Sequence, residues 1–307
     1  MSQNKSIAII GAPVDCGSRQ RGCIMGPDAM RVAGLIEQLQ QLGYGVSDYG
    51  NIVPAQPPQD IPESEKVKNL PDTVAWTRSI KSVTQEVAEQ GHFPLILGGD
   101  HSIAMGSVVG LCNHAAAQGR PLFVLWLDAH TDFNTFETSP SGNVHGMPVS
   151  FFCGLSGFDA ILDGPLAHKV NPENIYMMGI RSVDDSERKL VTQNGITVHD
   201  MRHIDEAGII PGLTSFLGKV AEANGLLHVS FDIDFLDPEI APAVGTPVPG
   251  GVTMREAHLI MELIYDSGLM SSMEIAELNP ALDHAGRTAR LMVDFIASAL
   301  GRRVFPA

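Results

Sequence analysis

Three short clusters of ionisable residues each follow an apolar run of the sequence. The clusters lie at residues 98–102 (GGDHS), 128–134 (DAHTDFN) and 232–234 (DID), and they supply carboxylates and two imidazoles. In the second and third clusters the ionisable residues alternate, and residues two apart in an extended chain point the same way. The spacing therefore predicts that the side chains of these clusters converge on one site.

Bound cations would explain why carboxylates stand at the ends of apolar strands, where they otherwise repel one another and lose hydration. Six ligands exceed the needs of one tetrahedral ion but suit two ions that share bridging carboxylates. The predicted metal ligands are His101, Asp128, His130, Asp132, Asp232 and Asp234. Oxygen and nitrogen donors without sulfur favour Mn²⁺ over a zinc–thiolate site, so two Mn²⁺ ions per subunit are expected. A single D-x-H or D-x-D pair is more often a turn or a cap, so the interpretation depends on all three clusters.

Short apolar runs rich in β-branched residues predict the strands that position these clusters. They cover residues 7–10, 93–97, 122–127, 175–180, 196–198, 226–231 and 272–276, with a weaker extended segment at 44–47. Stretches with helical periodicity lie between them, at 28–42, 73–90, 103–117, 254–265 and 285–300. The alternation predicts a mostly parallel sheet whose carboxyl ends carry ligand-binding loops. The pattern alone fits either an open doubly wound sheet or an eight-fold barrel.

The composition is that of a globular chain with a large core. The 307 residues are 44% hydrophobic and 18% charged, and we expect one domain over residues 1–307. The formal net charge of −15 argues against binding to nucleic acid or to an anionic membrane. The proline-rich stretch at 53–62 is interpreted as a surface loop of that domain, because helical patterning resumes after it without a change in composition.

Cysteine usage and the start of the sequence favour a cytoplasmic location. Cys16, Cys23, Cys112 and Cys153 show no C-x-x-C spacing, and the opening MSQNKSIAII lacks the apolar stretch of a secretory signal. No apolar run approaches the roughly 18 residues of a membrane span. We therefore expect reduced thiols and no membrane anchor.

The motifs resemble those of the ureohydrolases, namely G-G-D-H-S, D-A-H-x-D and S-x-D-x-D-x-x-D-P, which stand in order at 98–102, 128–132 and 230–238. Within that family the chain is similar to the arginases, because it also carries SGNVHGMP at 141–148, GTPV at 245–248 and EIAELNP at 274–280. The resemblance runs from residue 11 to nearly the C-terminus. It implies a three-layer α/β/α fold with an eight-stranded parallel sheet, rather than a barrel.

The resemblance also implies a division of the ligands between two Mn²⁺ ions. One ion would be held by His101, Asp128, Asp132 and Asp232, and the other by Asp128, His130, Asp232 and Asp234, with Asp128 and Asp232 bridging. The implied reaction is hydrolysis of the L-arginine guanidinium group to L-ornithine and urea by a metal-bridging hydroxide. No cofactor beyond metal is implied.

Further roles follow from the same motif matches. Asp132 would carry a proton to the leaving amine, His145 would shuttle protons, and Glu277 would anchor the guanidinium group. The implied substrate-binding residues are Asn134, Ser139, Ser141, Asp184, Glu187 and Thr246, with Asn134 and Ser141 at the α-carboxylate and Asp184 at the α-ammonium. Ser182 departs from the pattern, because many arginases have an aspartate there. Gly98 and Gly99 are interpreted as a tight turn that aims His101 at the metals.

Two other functions stay open at this point. An agmatinase or another guanidino-acid ureohydrolase would keep the metal ligands but change the loops at the far end of the substrate. A metal-stabilised binding protein without catalysis is the remote alternative. A homotrimer or homohexamer is expected, since Arg255, Glu256 and Asp205 match subunit-contact positions of arginases and since soluble enzymes assemble symmetrically.

Overall fold

Eight parallel strands form one open sheet in the computed structural model, which describes residues 6–158, 161–162 and 164–305. The strands are β1 (Ile7–Ala12), β2 (Val46–Asn51), β3 (Phe93–Gly98), β4 (Leu122–Leu127), β5 (Ile175–Met178), β6 (Thr197–His199), β7 (Leu226–Asp232) and β8 (Met270–Ala276). Their order across the sheet is β2-β1-β3-β8-β7-β4-β5-β6, and all neighbouring pairs are parallel. The open sheet confirms the doubly wound alternative and excludes the barrel.

Ten α-helices cover the two faces of the sheet within the described ranges. They are α1 (Gly26–Val32), α2 (Leu35–Gln41), α3 (Leu70–Glu89), α4 (Ile103–Ala117), α5 (Pro148–Phe152), α6 (Asp185–Asn194), α7 (Met201–Ala207), α8 (Ile210–Glu222), α9 (Met254–Ser267) and α10 (Arg287–Ala299). Helices α3 to α6 pack on one face, and α1, α2 and α7 to α10 pack on the other. This confirms the three-layer α/β/α architecture. None of the helices described is both long and apolar enough to cross a membrane.

The single helix predicted over residues 28–42 is wrong. Gly34 separates α1 from α2 and has a φ of 93°, a backbone conformation that residues with a side chain rarely adopt. Met30 of α1 and Leu35 of α2 enter the same core on either side of the break. Helices α5 to α8 were not predicted.

The predicted strand boundaries differ most from the structure at β2, which forms one edge of the sheet. The segment predicted at 44–47 lies at Val46–Asn51, where the side chains of β2 are mostly exposed and polar. The strand predicted at 175–180 ends at Met178, and the one predicted at 196–198 lies at Thr197–His199. An exposed edge strand has no continuous apolar run, so its ends leave little signal in the sequence.

The central strands β3, β8, β7 and β4 are consecutive neighbours, so the loops that follow them meet at one edge of the sheet. At the end of β3 the backbone approaches the loop after β1 closely. A Cβ on Gly99 would lie 1.9 Å from the Val14 carbonyl oxygen, while the Asp100 amide donates to that oxygen at 2.9 Å. Gly99 therefore serves close backbone packing, in addition to any turn that places His101.

Candidate metal centre and active site

The predicted ligands meet at the carboxyl ends of β3, β4 and β7. Their ligand atoms form two groups, each within 4.8 Å, made of His101, Asp128 and Asp232 and of Asp128, His130 and Asp234. Asp128 belongs to both groups, which is the position of a bridging ligand. The structure places Asp232 in the first group alone, so its bridging role stays a prediction.

His101 is the centre of the first group. Its ring is wholly buried and stacks on the Trp126 indole, with centroids 4.1 Å apart. Its Nδ1 atom lies 3.1 Å from Asp128 Oδ2 and 3.0 Å from Asp232 Oδ2. Among the described residues, neither His101 Nδ1 nor Asp128 Oδ2 has a hydrogen-bond partner. Buried polar atoms without partners carry a free-energy cost, and a cation between them would satisfy both.

The second group lies at the mouth of the site, where His130 is partly exposed. His130 Nδ1 lies 3.1 Å from Asp234 Oδ2 and 3.5 Å from Asp128 Oδ1. The Asp234 carboxylate accepts hydrogen bonds from the Ala129 amide at 3.1 Å and from the Thr246 hydroxyl at 3.2 Å. These contacts orient the carboxylate toward His130.

The electrostatics of the centre demand positive charge. Burial raises the pKa of Asp132, and the Asp128 charge raises it further, to about 7. Burial lowers the pKa of His130, but Asp234 and Asp128 raise it more, to about 12. The metal-free site therefore takes up protons to balance its carboxylates, and divalent cations would meet the same demand. The oxygen and nitrogen donors, the unpartnered atoms and this charge balance all fit a pair of metal ions.

Asp132 stands slightly apart from the two groups. Its Oδ2 atom lies 3.3 Å from His101 Nδ1, and its backbone adopts a left-handed φ of 47°. Such a conformation costs energy for a residue with a Cβ and persists only where the surroundings hold it. The Val149 amide donates to the Asp132 carbonyl at 3.0 Å, so the start of α5 helps to hold it.

A cavity of about 200 Å³ opens above the predicted ligands. Its walls include His130, Asp132, His145 and Asp232. All the predicted substrate-binding residues also line it: Asn134, Ser139, Ser141, Asp184, Glu187 and Thr246. The structure thus brings the proton-transfer and substrate-binding predictions to one cavity, with the exception of Glu277, and three of the predicted metal ligands line it while His101, Asp128 and Asp234 lie beneath it.

Glu277 lies behind the cavity wall rather than on it. The carboxylate is 1% exposed, and its Oε1 atom accepts hydrogen bonds from His145 Nδ1 and from the His101 amide, both at 2.9 Å. Its Oε2 atom accepts a contact from the Cys23 thiol at 3.6 Å. Glu277 has a φ of 67°, so this residue also holds a left-handed backbone. The carboxylate therefore positions His145 in this structure.

Glu187 connects two loops of the cavity. It is buried, and it accepts hydrogen bonds from the Phe133 amide at 2.7 Å and from the Asp184 amide at 3.4 Å. The side-chain amide of Asn134 donates to Asp184 Oδ2 at 3.4 Å. Glu187 thus holds the start of α6 against the loop that follows β4.

The loop at 139–146 contacts a segment to which the sequence assigned no role. The Lys68 amide donates to the Gly142 carbonyl at 3.0 Å, and the Lys68 ammonium donates to Asn143 Oδ1 at 2.9 Å. Gly142 has a φ of 68°, and a Cβ there would lie 2.5 Å from the Lys66 carbonyl. The segment after the proline-rich stretch therefore shapes the outer wall of the cavity.

Arg181 is a second residue that the sequence analysis missed. Its guanidinium donates to five backbone carbonyls, including those of Asp234 at 2.6 Å and Val248 at 2.8 Å. It therefore ties the loop after β7 to the segment that carries Thr246. A lone arginine beside a strand end is the only trace of this role in the sequence.

Comparisons with known proteins identify the family of the chain. The sequence model of the arginase family matches residues 5–301. An arginase from Agrobacterium fabrum is 53% identical to this chain, covering 98% of it and 92% of the relative. The crystal structure of arginase from Bacillus subtilis is 41% identical, with a TM-score of 0.88 over 98% of this chain and all of that one. Arginase from Bacillus caldovelox, at 38% identity and the same coverage, gives a TM-score of 0.90. The chain belongs to the arginase family and is a hydrolase of that family.

Proposed function

We propose that the protein hydrolyses the guanidinium group of L-arginine to L-ornithine and urea at a pair of Mn²⁺ ions. The observation that carries the proposal is the position of Asp128 in both ligand groups, together with the unpartnered Nδ1 of His101 beside it. When bound, the metal pair supplies a nucleophile near neutral pH by making water more acidic. The ligands are proposed to be those that the sequence predicted, with Asp128 and Asp232 bridging.

Proton transfer is assigned to two residues on the cavity wall. Asp132 lines the cavity with its carboxylate 3.3 Å from His101 Nδ1, a position from which it is proposed to accept a proton from the nucleophile and return it to the leaving amine. His145 donates through Nδ1 to Glu277, so its Nε2 atom is left to exchange protons with the cavity. This supports the role of His145 as the shuttle that exchanges protons between the cavity and solvent.

Substrate orientation is assigned to Glu277, which lies behind the cavity wall, and to polar groups at the outer end of the cavity. The Glu277 carboxylate can pair two N–H groups of a planar guanidinium, and it would exchange its contact with His145 for the substrate. At the outer end Asn134, Ser139 and Ser141 are proposed to meet the α-carboxylate, and Asp184, held by Glu187, the α-ammonium. Thr246 is proposed to touch the substrate near Asp234.

Urea release by the purified protein tests this proposal. Reconstituted with Mn²⁺, the protein should release urea from L-arginine and far less from agmatine, which lacks the α-carboxylate. Comparable rates on the two substrates would instead favour the wider guanidino-acid ureohydrolase. Tight metal binding without urea release from either substrate would favour a binding protein.

Assembly and location complete the proposal. We propose a homotrimer or homohexamer in the cytoplasm. Arg255 borders a groove together with Leu259 and Arg303. The Glu256 carboxylate instead accepts a hydrogen bond from the Thr253 amide at 2.8 Å, within the same helix start. All four cysteines are free, as expected of a reducing compartment.

A further inference from the structure

A stripe of polar side chains lies behind His101 in the middle of the sheet, where the surrounding residues are apolar. His228 and Ser230 are on β7, and Ser272 and Glu274 occupy the paired positions on β8. All four are wholly buried, as is Ser107 on α4, which covers them. Neither the proposed reaction nor the metal ligand set uses any of these groups.

Hydrogen bonds join this stripe to His101 through a single side chain. Ser230 Oγ donates to Glu274 Oε1 at 2.7 Å and lies 2.8 Å from His101 Nε2. The other Glu274 oxygen accepts the Ser107 hydroxyl. Glu274 therefore has hydroxyl donors on both oxygens, and among the described hydrogen bonds Ser230 is its connection to His101.

At the end of the stripe away from His101, His228 and Ser272 contact each other inside the core. His228 Nε2 lies 3.4 Å from Glu274 Oε1, and His228 Nδ1 is 2.9 Å from the Ser272 hydroxyl. Among the described contacts, Ser272 has no path to His101 except through His228 and Glu274. This makes Ser272 a matched position from which the same hydroxyl can be removed without touching Ser230.

The proton count at Ser230 decides the state of His101. A serine hydroxyl has one proton and can donate it once. Since Ser230 donates to the Glu274 carboxylate, its oxygen must accept from His101, so Nε2 of that ring carries the proton. In the neutral ring the lone pair is then on Nδ1, the atom that faces Asp128 and Asp232 without a hydrogen-bond partner.

We propose that Glu274 is a positioning residue that acts through Ser230 to hold the His101 proton on Nε2 and so keeps Nδ1 available for a metal ion. The inference rests on the proposed function in one respect, the role of His101 as a ligand. Histidine ligands commonly donate their second N–H to an oxygen that fixes ring and tautomer. Here the charged acceptor is one residue further away, inside the core.

A purely structural role would not require this connection. A buried ionic pair is weak evidence for stability, because the desolvation of both groups offsets their attraction. Glu274 and His228 could also pair without Ser230. The link to His101 is therefore the part of the stripe that explains why a carboxylate stands between Met273 and Ile275, both of which are fully buried apolar residues.

The test removes each member of the path and measures metal binding. Without its acceptor in Glu274→Leu, the Ser230 hydroxyl turns to donate to His101 Nε2, which drives the ring proton to Nδ1. Ser230→Ala removes the partner of Nε2 altogether. Titration calorimetry with Mn²⁺ should show one of two binding steps weakened about 10- to 100-fold in both variants. The Ser272→Ala control should bind like the parent protein.

The double variant sharpens the test. If Glu274 acts only through Ser230, the losses of the two single variants should not add in the Glu274→Leu/Ser230→Ala protein. Additive losses, or single variants that bind both ions as tightly as Ser272→Ala, would overturn the inference. Ser230→Ala is the smaller change, so it decides the matter if Glu274→Leu fails to fold.

A measurement without metal separates this inference from the proposed function. Nitrogen-15 NMR of the metal-free protein, at a pH where the His101 ring is neutral, reports which nitrogen carries the proton. The parent and Ser272→Ala should show it on Nε2, and Ser230→Ala should show it on Nδ1. A parent protein that binds no Mn²⁺ would end the proposed function, whereas an unchanged tautomer in Ser230→Ala would end this inference.

Discussion

His145 Nδ1 donates a hydrogen bond of 2.9 Å to Glu277 Oε1 across 132 residues of sequence. Burial lowers the pKa of His145, but the Glu277 charge raises it more, to about 9. Burial in turn raises the pKa of Glu277, and His145 lowers it below the ordinary value. Each residue therefore stabilises the charged form of the other, and a histidine on the cavity wall holds a proton well above neutral pH.

Replacing Glu277 by glutamine should return the His145 pKa toward its ordinary value of 6.5. A histidine with a raised folded-state pKa stabilises the fold below about pH 6.5, and this contribution is lost as the pH rises through about 9. As the pH rises from about 6.5 to about 9, the free energy of unfolding of the metal-free parent should fall by up to about 3 kcal/mol relative to that of Glu277→Gln. Histidine NMR titrations and urea unfolding at both pH values measure this, and parallel stability curves would argue against the pair.

Replacing Asp128 by alanine should empty both metal sites, because this carboxylate belongs to both ligand groups. Urea release should fall at least about 1,000-fold, as expected when several kcal/mol of metal assistance are lost. The metal content of the purified variant, measured by mass spectrometry, should drop to near zero. Asp185→Ala, at a highly exposed carboxylate, is the control. Two retained Mn²⁺ ions in Asp128→Ala would show that it does not bridge.

Replacing Asp184 by alanine should raise KM for L-arginine with little change in kcat, because this residue is proposed to meet the α-ammonium and takes no part in the proposed proton transfer. The native protein should prefer arginine over agmatine by on the order of 10⁴-fold in kcat/KM. Agmatine lacks the α-carboxylate, so the polar groups of the site that are proposed to bind it would be left unpaired. The adjacent Asp185→Ala is again the control. An Asp184→Ala protein with unaltered arginine KM would place the α-ammonium elsewhere.

Metal affinity should rise with pH. Cations must displace protons from Asp132, whose pKa is raised to about 7, and from His130, whose pKa is raised to about 12. For each displaced proton the Mn²⁺ affinity should increase about tenfold per pH unit. Calorimetry in buffers of different ionisation enthalpy counts the protons released. Asp132→Asn should release fewer protons than the parent when it binds Mn²⁺ near pH 7. A Mn²⁺ affinity of the parent that does not change with pH would contradict this charge balance.

Light scattering should show an assembly of three or six chains. Arg255→Ala should shift it toward smaller species if this residue contacts a neighbouring subunit, while Arg188→Ala, on the exposed surface of α6, should not. A parent protein that scatters as a single 32.9 kDa species would remove the proposed assembly.

The convergence of the side chains in the candidate site was predictable because their spacing follows strand geometry. Asp128, His130 and Asp232 alternate with apolar residues at the ends of β4 and β7, and the order of the strands then brings them together. The interior pairing of His228 with Glu274 left a weaker signal. Each stands between apolar neighbours, and the strand register pairs His228 with Ser272 and Glu274 with Ser230. The contact between His228 and Glu274 is therefore diagonal and appears only in the folded sheet.

Other features depend on long-range contacts that no local pattern encodes. The sequence places Glu277 at a strand end, but its partner His145 comes from a loop far away in the chain. Likewise the helical spacing over residues 28–42 gives no warning that Gly34 turns the chain into a second helix. Local propensity fixes the periodicity of a segment, whereas tertiary packing decides where it breaks.

The position of β8 in the sheet sets the order in which the protein can be assembled during its synthesis. β8 pairs with β3 on one side and β7 on the other, so the earlier strands form two separate halves until it arrives. His101 belongs to the half with β3, and Asp128 and Asp232 belong to the half with β4 and β7. A growing chain therefore cannot complete the ligand group of His101, Asp128 and Asp232 until residues 270–276 have left the ribosome. Binding of the proposed metal pair has to wait for the last strand of the sheet, and nascent chains stalled before it should bind no metal pair.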